Sequence, residues 1–128
     1  MIYVQTFKSS ELEKSSKMHD YLQSRLADPF NKYCIDCKHN VSTHCLVMYG
    51  AFMCGQCANQ HKMTFGFFET YPKDLLTEQF DDYQLASVAE QIGGNKPIYD
   101  LFVEYNIQAL DSYTRFNSKI FAWYKRRH

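Results

Sequence analysis

Residues 34–62, CIDCKHNVSTHCLVMYGAFMCGQCANQHK, gather the side chains in this chain best suited to chemistry. Two Cys-x-x-Cys turns, Cys34/Cys37 and Cys54/Cys57, stand sixteen residues apart. Each such turn aims two sulfurs at one point, and two of them can close the tetrahedron of soft ligands that zinc prefers. Cys34, Cys37, Cys54 and Cys57 are therefore the expected ligands of one zinc ion. Thiols must lose protons to bind it, so metal binding energy becomes folding energy. Four sulfurs leave no open position for water, so the expected ion is structural, not catalytic. A site of three cysteines with His44 or His61 is the lesser alternative. His39 is a further imidazole in range, but four thiols leave no vacancy for it. Cys45 lies in an apolar stretch and reads as a core residue.

The elements that must position these residues come from a chain of 128 residues, long enough to bury a core as one domain. Ten Tyr, ten Phe and Trp123 supply much of the buriable surface. Basic and acidic residues balance to a net charge of zero, which disfavours a nucleic-acid binder. Lys125-Arg126-Arg127 is better read as cations at a helix C-terminus, where the backbone dipole favours them. No apolar run is long enough for a transmembrane segment. The first twenty residues lack a signal-peptide core, and their acids and scarcity of Arg argue against a cleaved mitochondrial presequence. Five cysteines in close pairs plus one fit a reduced intracellular protein, cytoplasmic or organellar, with mitochondrial import by an uncleaved route left open.

Along the chain, residues 1–8 read as an extended arm, and Ser10 with Glu13 as a capping box. A helix is then expected to Leu26, with Leu12, Leu22 and Leu26 on one face, broken by Asp28-Pro29. CLVMYGAFM (45–53) reads as strand with a bend at Gly50, and GFFETY (66–71) as a second strand ended by Pro72. A short helix after Cys57 carries His61 and Lys62. Thr77 caps a helix to about Ile92, with Phe80, Leu85 and Val88 on its stripe, and Gly93-Gly94 stops it. Asn95 caps the next, which ends near Tyr105-Asn106. Residues 107–117 carry no clear pattern, and Ser118 opens a last helix with Ile120, Phe121 and Tyr124 facing inward. His19 reads as a surface residue, and the adjacent carboxylates of Asp81 and Asp82 as a solvated helix face.

The cysteine spacing, Asn31 three residues before the first cysteine, Asp36 inside the first knuckle, Gly50-x-Phe52 before the second and His61 after it resemble the zinc-finger domain of the Arf GTPase-activating proteins. Glu78, Phe80, Gly93-Gly94-Asn95, Phe102, Glu104 and Tyr124-Lys125 also fall where that family carries similar residues. The resemblance spans residues 20–127 and leaves 1–19 as an N-terminal arm and the start of a helix. It implies an α+β fold, a small, mostly helical domain with a four-cysteine zinc finger and a short β-sheet.

The departures bear on activity. The resemblance places Lys62 where the family keeps an arginine finger, which stabilises charge as the γ-phosphate of GTP leaves. Lysine carries a single, strongly hydrated ammonium and lacks the planar fork. His44 replaces a tryptophan, Ser42 a proline, Met48 an asparagine, and Thr64-Phe65 a leucine-glycine pair. The expected function is thus a catalytically degenerate interaction or accessory subunit of a larger protein assembly, with no catalytic residue assigned. The alternative is a GTPase activator for an Arf-type GTPase that uses Lys62.

Overall fold

The structure, a computed structural model, describes residues 20–75 and 94–127. Residues 20–26 are helical (α1), and Leu22 and Leu26 pack inward as their spacing predicts. The turn at Asp28-Pro29 separates α1 from a single helical turn, α2 (Pro29–Lys32). Asp28 accepts from the Phe30 N–H, and proline stands at the first helical position, where its missing donor costs nothing.

The apolar run 45–53 does not form one strand. It folds into a hairpin of β1 (His44–Leu46) and β2 (Ala51–Met53) around a turn in which Gly50 takes a φ of +66°. The Gly50 and Tyr49 N–H groups both bond the Leu46 carbonyl at the turn's start, at 2.9 and 3.0 Å. In the hairpin Cys45 pairs with Phe52 and Leu46 with Ala51.

Cys54 begins helix α3 (Gly55–Phe65), which carries His61 and Lys62 and starts earlier than expected. Gly66, at φ +94°, ends it. The next segment corrects the sequence expectation: 66–71 is not a strand. Phe67–Thr70 is a helical turn (α4), closed by Thr70 Oγ1 donating to the Gly66 carbonyl at 2.9 Å and by Tyr71 in the left-handed region. That turn reverses the chain and hands it to β1 one step later. The Val47 N–H takes the Tyr71 carbonyl at 3.0 Å, and β3 (Pro72–Asp74) follows. Proline therefore opens the strand instead of ending the previous one, a position where the sheet asks no N–H of it. The antiparallel order is β2-β1-β3.

The sheet is buried on both faces, and the strand alternation sorts its side chains. Leu46, Ala51 and Met53 join Tyr49, Ala58, Ile98, Phe102, Phe116 and Phe121 in the larger core. Cys45, Val47 and Phe52 face the other way, onto Leu22 and Leu75. Four aromatic rings, Tyr49, Phe102, Phe116 and Phe121, pack together in the larger core. Phe116 stacks on Tyr49 at 5.6 Å between centroids, and Phe121 meets both rings edge-on at 4.8 and 5.0 Å. Such pairs add about 0.5–1.5 kcal/mol each beyond the area they bury.

Helix α5 (Asn95–Glu104) buries Ile98, Leu101 and Phe102. Its cap is Gly94, not Asn95 as the sequence suggested. The Asn95 N–H is met by Asn31 Oδ1 from α2 at 2.8 Å, which frees the Asn95 side chain for a longer reach. The unassigned segment 107–117 contains α6 (Ser112–Phe116), capped by Asp111 accepting from the Thr114 N–H. α7 (Lys119–Arg126) begins where expected, with Ser118 Oγ accepting from the Phe121 N–H. The readings at Ser10, Glu13, His19, Thr77 to Ile92 and Gly93 lie outside the described residues.

Candidate functional site

Cys34 and Cys37 sit on the turn after α2, Cys54 caps α3, and Cys57 lies in its first turn. Their four sulfurs lie within 4.8 Å of one another. The Cys37 and Cys54 sulfurs are 4.0 Å apart. Sulfurs around one tetrahedral zinc at about 2.3 Å stand about 3.8 Å apart, so the donor set is of the right chemistry and close to the right size. Hydrogen bonds orient it. The Cys57 N–H and Asn40 Nδ2 point at the Cys54 sulfur, at 3.5 and 3.6 Å. Burial opposes thiolate formation at Cys54, yet these donors outweigh it and lower that thiol below its ordinary pKa. Burial pushes Cys34 and Cys57 up, and Cys57 also feels the charge of Cys34. Four such sulfurs cannot all shed protons unaided, and a cation among them would supply the missing charge.

The histidines are engaged elsewhere. His44, on β1, faces Thr43 Oγ1 through Nδ1 at 2.8 Å, and His39 is exposed. His61 is 2% exposed and uses both ring nitrogens. Nδ1 lies 3.1 Å from the Tyr49 hydroxyl and Nε2 lies 2.8 Å from Asp36 Oδ2. Burial raises the Tyr49 pKa, as do the charges of Asp36 and Glu69, so its hydroxyl is a donor. It donates to Nδ1, and the Nε2–H then goes to Asp36. Ser112 Oγ donates to the same carboxylate oxygen at 2.7 Å. Arg115 takes the other oxygen at 2.7 Å and also donates to the Asp36, Leu110 and Gln108 carbonyls. Burial by itself would raise the Asp36 pKa. The hydrogen bonds from His61 and Ser112, with the charge of Arg115, hold it below the usual carboxylate value.

This network joins the first knuckle to α3 and α6, and it fixes the helix that displays Lys62. Lys62 follows buried His61 and is itself exposed. Among the described residues no carboxylate lies within ion-pair distance of it. The buried group offers no room for a substrate, so its chemistry is that of positioning. Sequence reading noted Asp36 and His61 but missed Tyr49, Ser112 and Arg115 as their partners. Arg115 stands 79 residues from Asp36, and nothing local in the sequence marks the pair.

A zinc-finger pair of knuckles on a three-stranded sheet, ringed by short helices, defines the class. The sequence pattern of the ArfGap family, described as "Putative GTPase activating protein for Arf", matches residues 19–127, and the chain belongs to that family. It is 25% identical over 99 residues to ADP-ribosylation factor GTPase-activating protein 3 of Bos taurus. It is 26% identical over 98 residues to the ADP-ribosylation factor GTPase-activating protein GCS1 of Saccharomyces cerevisiae. The matches cover 77% and 76% of this chain but 19% and 27% of those proteins. Among solved structures, a Cryptosporidium parvum protein described as a "putative GTPase activating protein for ADP ribosylation factor" shares the fold. Its TM-score is 0.73 at 21% identity, over 96% of this chain and 93% of that one. The ArfGap domain of HIV-1 Rev binding protein does so with a TM-score of 0.68 at 16% identity, over 94% and 90%.

Proposed function

We propose that this chain is a zinc-stabilised protein-interaction module that has kept the Arf-GAP fold and lost efficient GTPase activation, working as a subunit of a larger protein assembly. Cys34, Cys37, Cys54 and Cys57 hold one structural zinc on this reading, and His61 serves the core. One observation carries it. The position that follows buried His61, where the family presents its arginine finger, is exposed on α3 and bears the ammonium of Lys62. Such fingers are worth about 10³–10⁵ in rate, and a point charge without the fork recovers a small part of that. His44 in place of the family's tryptophan alters the neighbouring surface in the same direction.

Lys62 is exposed and has no carboxylate in ion-pair reach among the described residues, which favours one other reading, a slow activator of an Arf-type GTPase. The experiment is single-turnover GTP hydrolysis by an Arf-type GTPase with the wild-type chain, Lys62→Arg and Lys62→Ala. The module reading expects all three to stay within about twofold of the intrinsic rate, since the surface around the finger has changed as well. Stimulation that Lys62→Arg raises about tenfold or more and Lys62→Ala abolishes would establish the activator instead. Size fractionation of gently lysed cells tests the subunit claim, which fails if the chain runs alone near its own mass of 15.1 kDa.

A further inference from the structure

Beside the first knuckle lies a cavity of about 290 Å³. It is lined by Pro29 and Phe30 of α2, Tyr33, Cys34, Ile35 and Lys38 of the segment that follows, and Tyr99 of α5. Phe30 and Tyr33 are both more than two-fifths exposed, and the Phe30 and Tyr99 rings lie 5.7 Å apart. Three ammonium groups surround these rings. Lys38 sits 4.5 Å over Tyr99, Lys96 5.2 Å over Phe30 and Lys32 5.8 Å from the Tyr33 ring.

Acids balance them only in part. Lys96 has Asp100 at 2.8 Å, both half exposed. Asp28 turns one oxygen to the α2 cap and keeps its charge, which leaves three lysines against two carboxylates here. Among the described residues no carboxylate lies within 4.0 Å of Lys32 or Lys38. In a chain of zero net charge this is a local basic excess around an apolar hollow. The walls are also rigid. Asn95 Nδ2 donates to the Phe30 and Tyr33 carbonyls at 2.8 and 3.2 Å, which ties α5 to α2 and the residue that follows it.

We propose that this groove is a docking site for an acidic peptide segment of a protein partner, with an apolar side chain in the cavity and flanking carboxylates on Lys32 and Lys38. It deepens the interaction-module reading and rests on it. Charge complementarity selects the acidic partner. The volume lies just below the usual range of ligand cavities, about 300–1,000 Å³, and fits a side chain better than a cofactor. Single-stranded nucleic acid fits less well. Stacking needs free ring faces, and here the chain's own ammonium groups lie over them.

The test uses the zinc-loaded full chain and a fluorescein-labelled nine-residue peptide of Asp and Glu around one central Leu. Expected are saturable binding, NMR shifts concentrated at Phe30, Ile35, Lys38 and Tyr99, and about tenfold weaker binding when the central Leu becomes Ala. Lys38→Glu should weaken binding by about tenfold or more, and added salt should weaken it progressively. Tyr99 packs partly against the core, so Tyr99→Ala is read only if it melts like wild type, whereas Lys38 is exposed and its variant should melt like wild type. No saturable binding, shifts elsewhere, or indifference to Lys38→Glu overturns the proposal. So does a ten-nucleotide single-stranded DNA that binds this groove more tightly than the peptide. A chain that proves to be in an assembly yet ignores the peptide refutes this surface alone. A chain that runs as a monomer refutes the module reading, and the titration still decides whether the groove binds acidic peptides.

Discussion

Asp36 gathers three side-chain donors from distant parts of the chain. It accepts from His61, Ser112 and Arg115, and its side chain and that of Arg115 are only 8% and 10% exposed. Removing one partner of a buried ion pair costs about 3–5 kcal/mol, because the other is left charged and dry. Asp36→Asn should therefore destabilise the protein by about that much, with zinc content unchanged, as read by denaturant unfolding beside a metal assay. Combining it with Arg115→Met should cost clearly less than the two single changes added together, since the double variant buries no lone charge. The sign with pH follows from a carboxylate whose folded pKa is depressed. Its contribution is complete above the unfolded value of about 3.9 and is lost as pH falls through the lower, folded one. Between pH 7 and 5 the gap between wild type and Asp36→Asn should stay constant. Little of this was legible in the sequence. The cysteines announce themselves by spacing, but a buried Arg–Asp pair 79 residues apart has no local signature.

The elements divide by what kind of signal makes them. Those closed by short-range chemistry were readable: the Asp28-Pro29 break, the Ser118 cap, and the inward side of α7 at Phe121. Those decided by tertiary partners were not. GFFETY has strand composition, but Phe67 and Phe68 remain exposed, and Gly66 with Thr70 turns it helical so that 72–74 can reach β1. At α5 the expected Asn95 cap is displaced by a contact from Asn31, while the Asn95 side chain holds the Phe52 N–H at 2.7 Å and three carbonyls. Gly94 makes that junction feasible. It holds a φ of +74°, and a Cβ there would stand 2.4 Å from Asn31 Oδ1. Gly94→Ala combines a disfavoured backbone with loss of the Asn31 bond, and should cost about 2–4 kcal/mol. Thermal unfolding measures it, and a change under about 0.5 kcal/mol would mean that α5 docks by its apolar face alone.

At the scale of the molecule, the question is how much of the fold depends on the four thiols. They join two segments otherwise linked through the hairpin, and the larger core closes directly over Cys34 and Cys54. Structural zinc contributes about 10–16 kcal/mol to folding in small finger peptides, which matches or exceeds the whole net stability of an ordinary domain, about 5–15 kcal/mol. Aromatic packing from α5, α6 and α7 can leave residual structure when the metal goes, but it cannot replace the cross-link at the knuckles. Incubation with a strong chelator should therefore abolish the cooperative melt or lower it by about 15 °C or more, and zinc returned in slight excess should restore it. Cys45 discriminates further. Burial pushes its thiol well above the ordinary range, so in the folded protein it stays protonated and hidden from thiol reagents. If zinc holds the fold together, chelation exposes all five cysteines in one phase. If four react while Cys45 lags and the melt persists, the core stands without the metal, and the zinc's role contracts to shaping the first knuckle and the groove beside it.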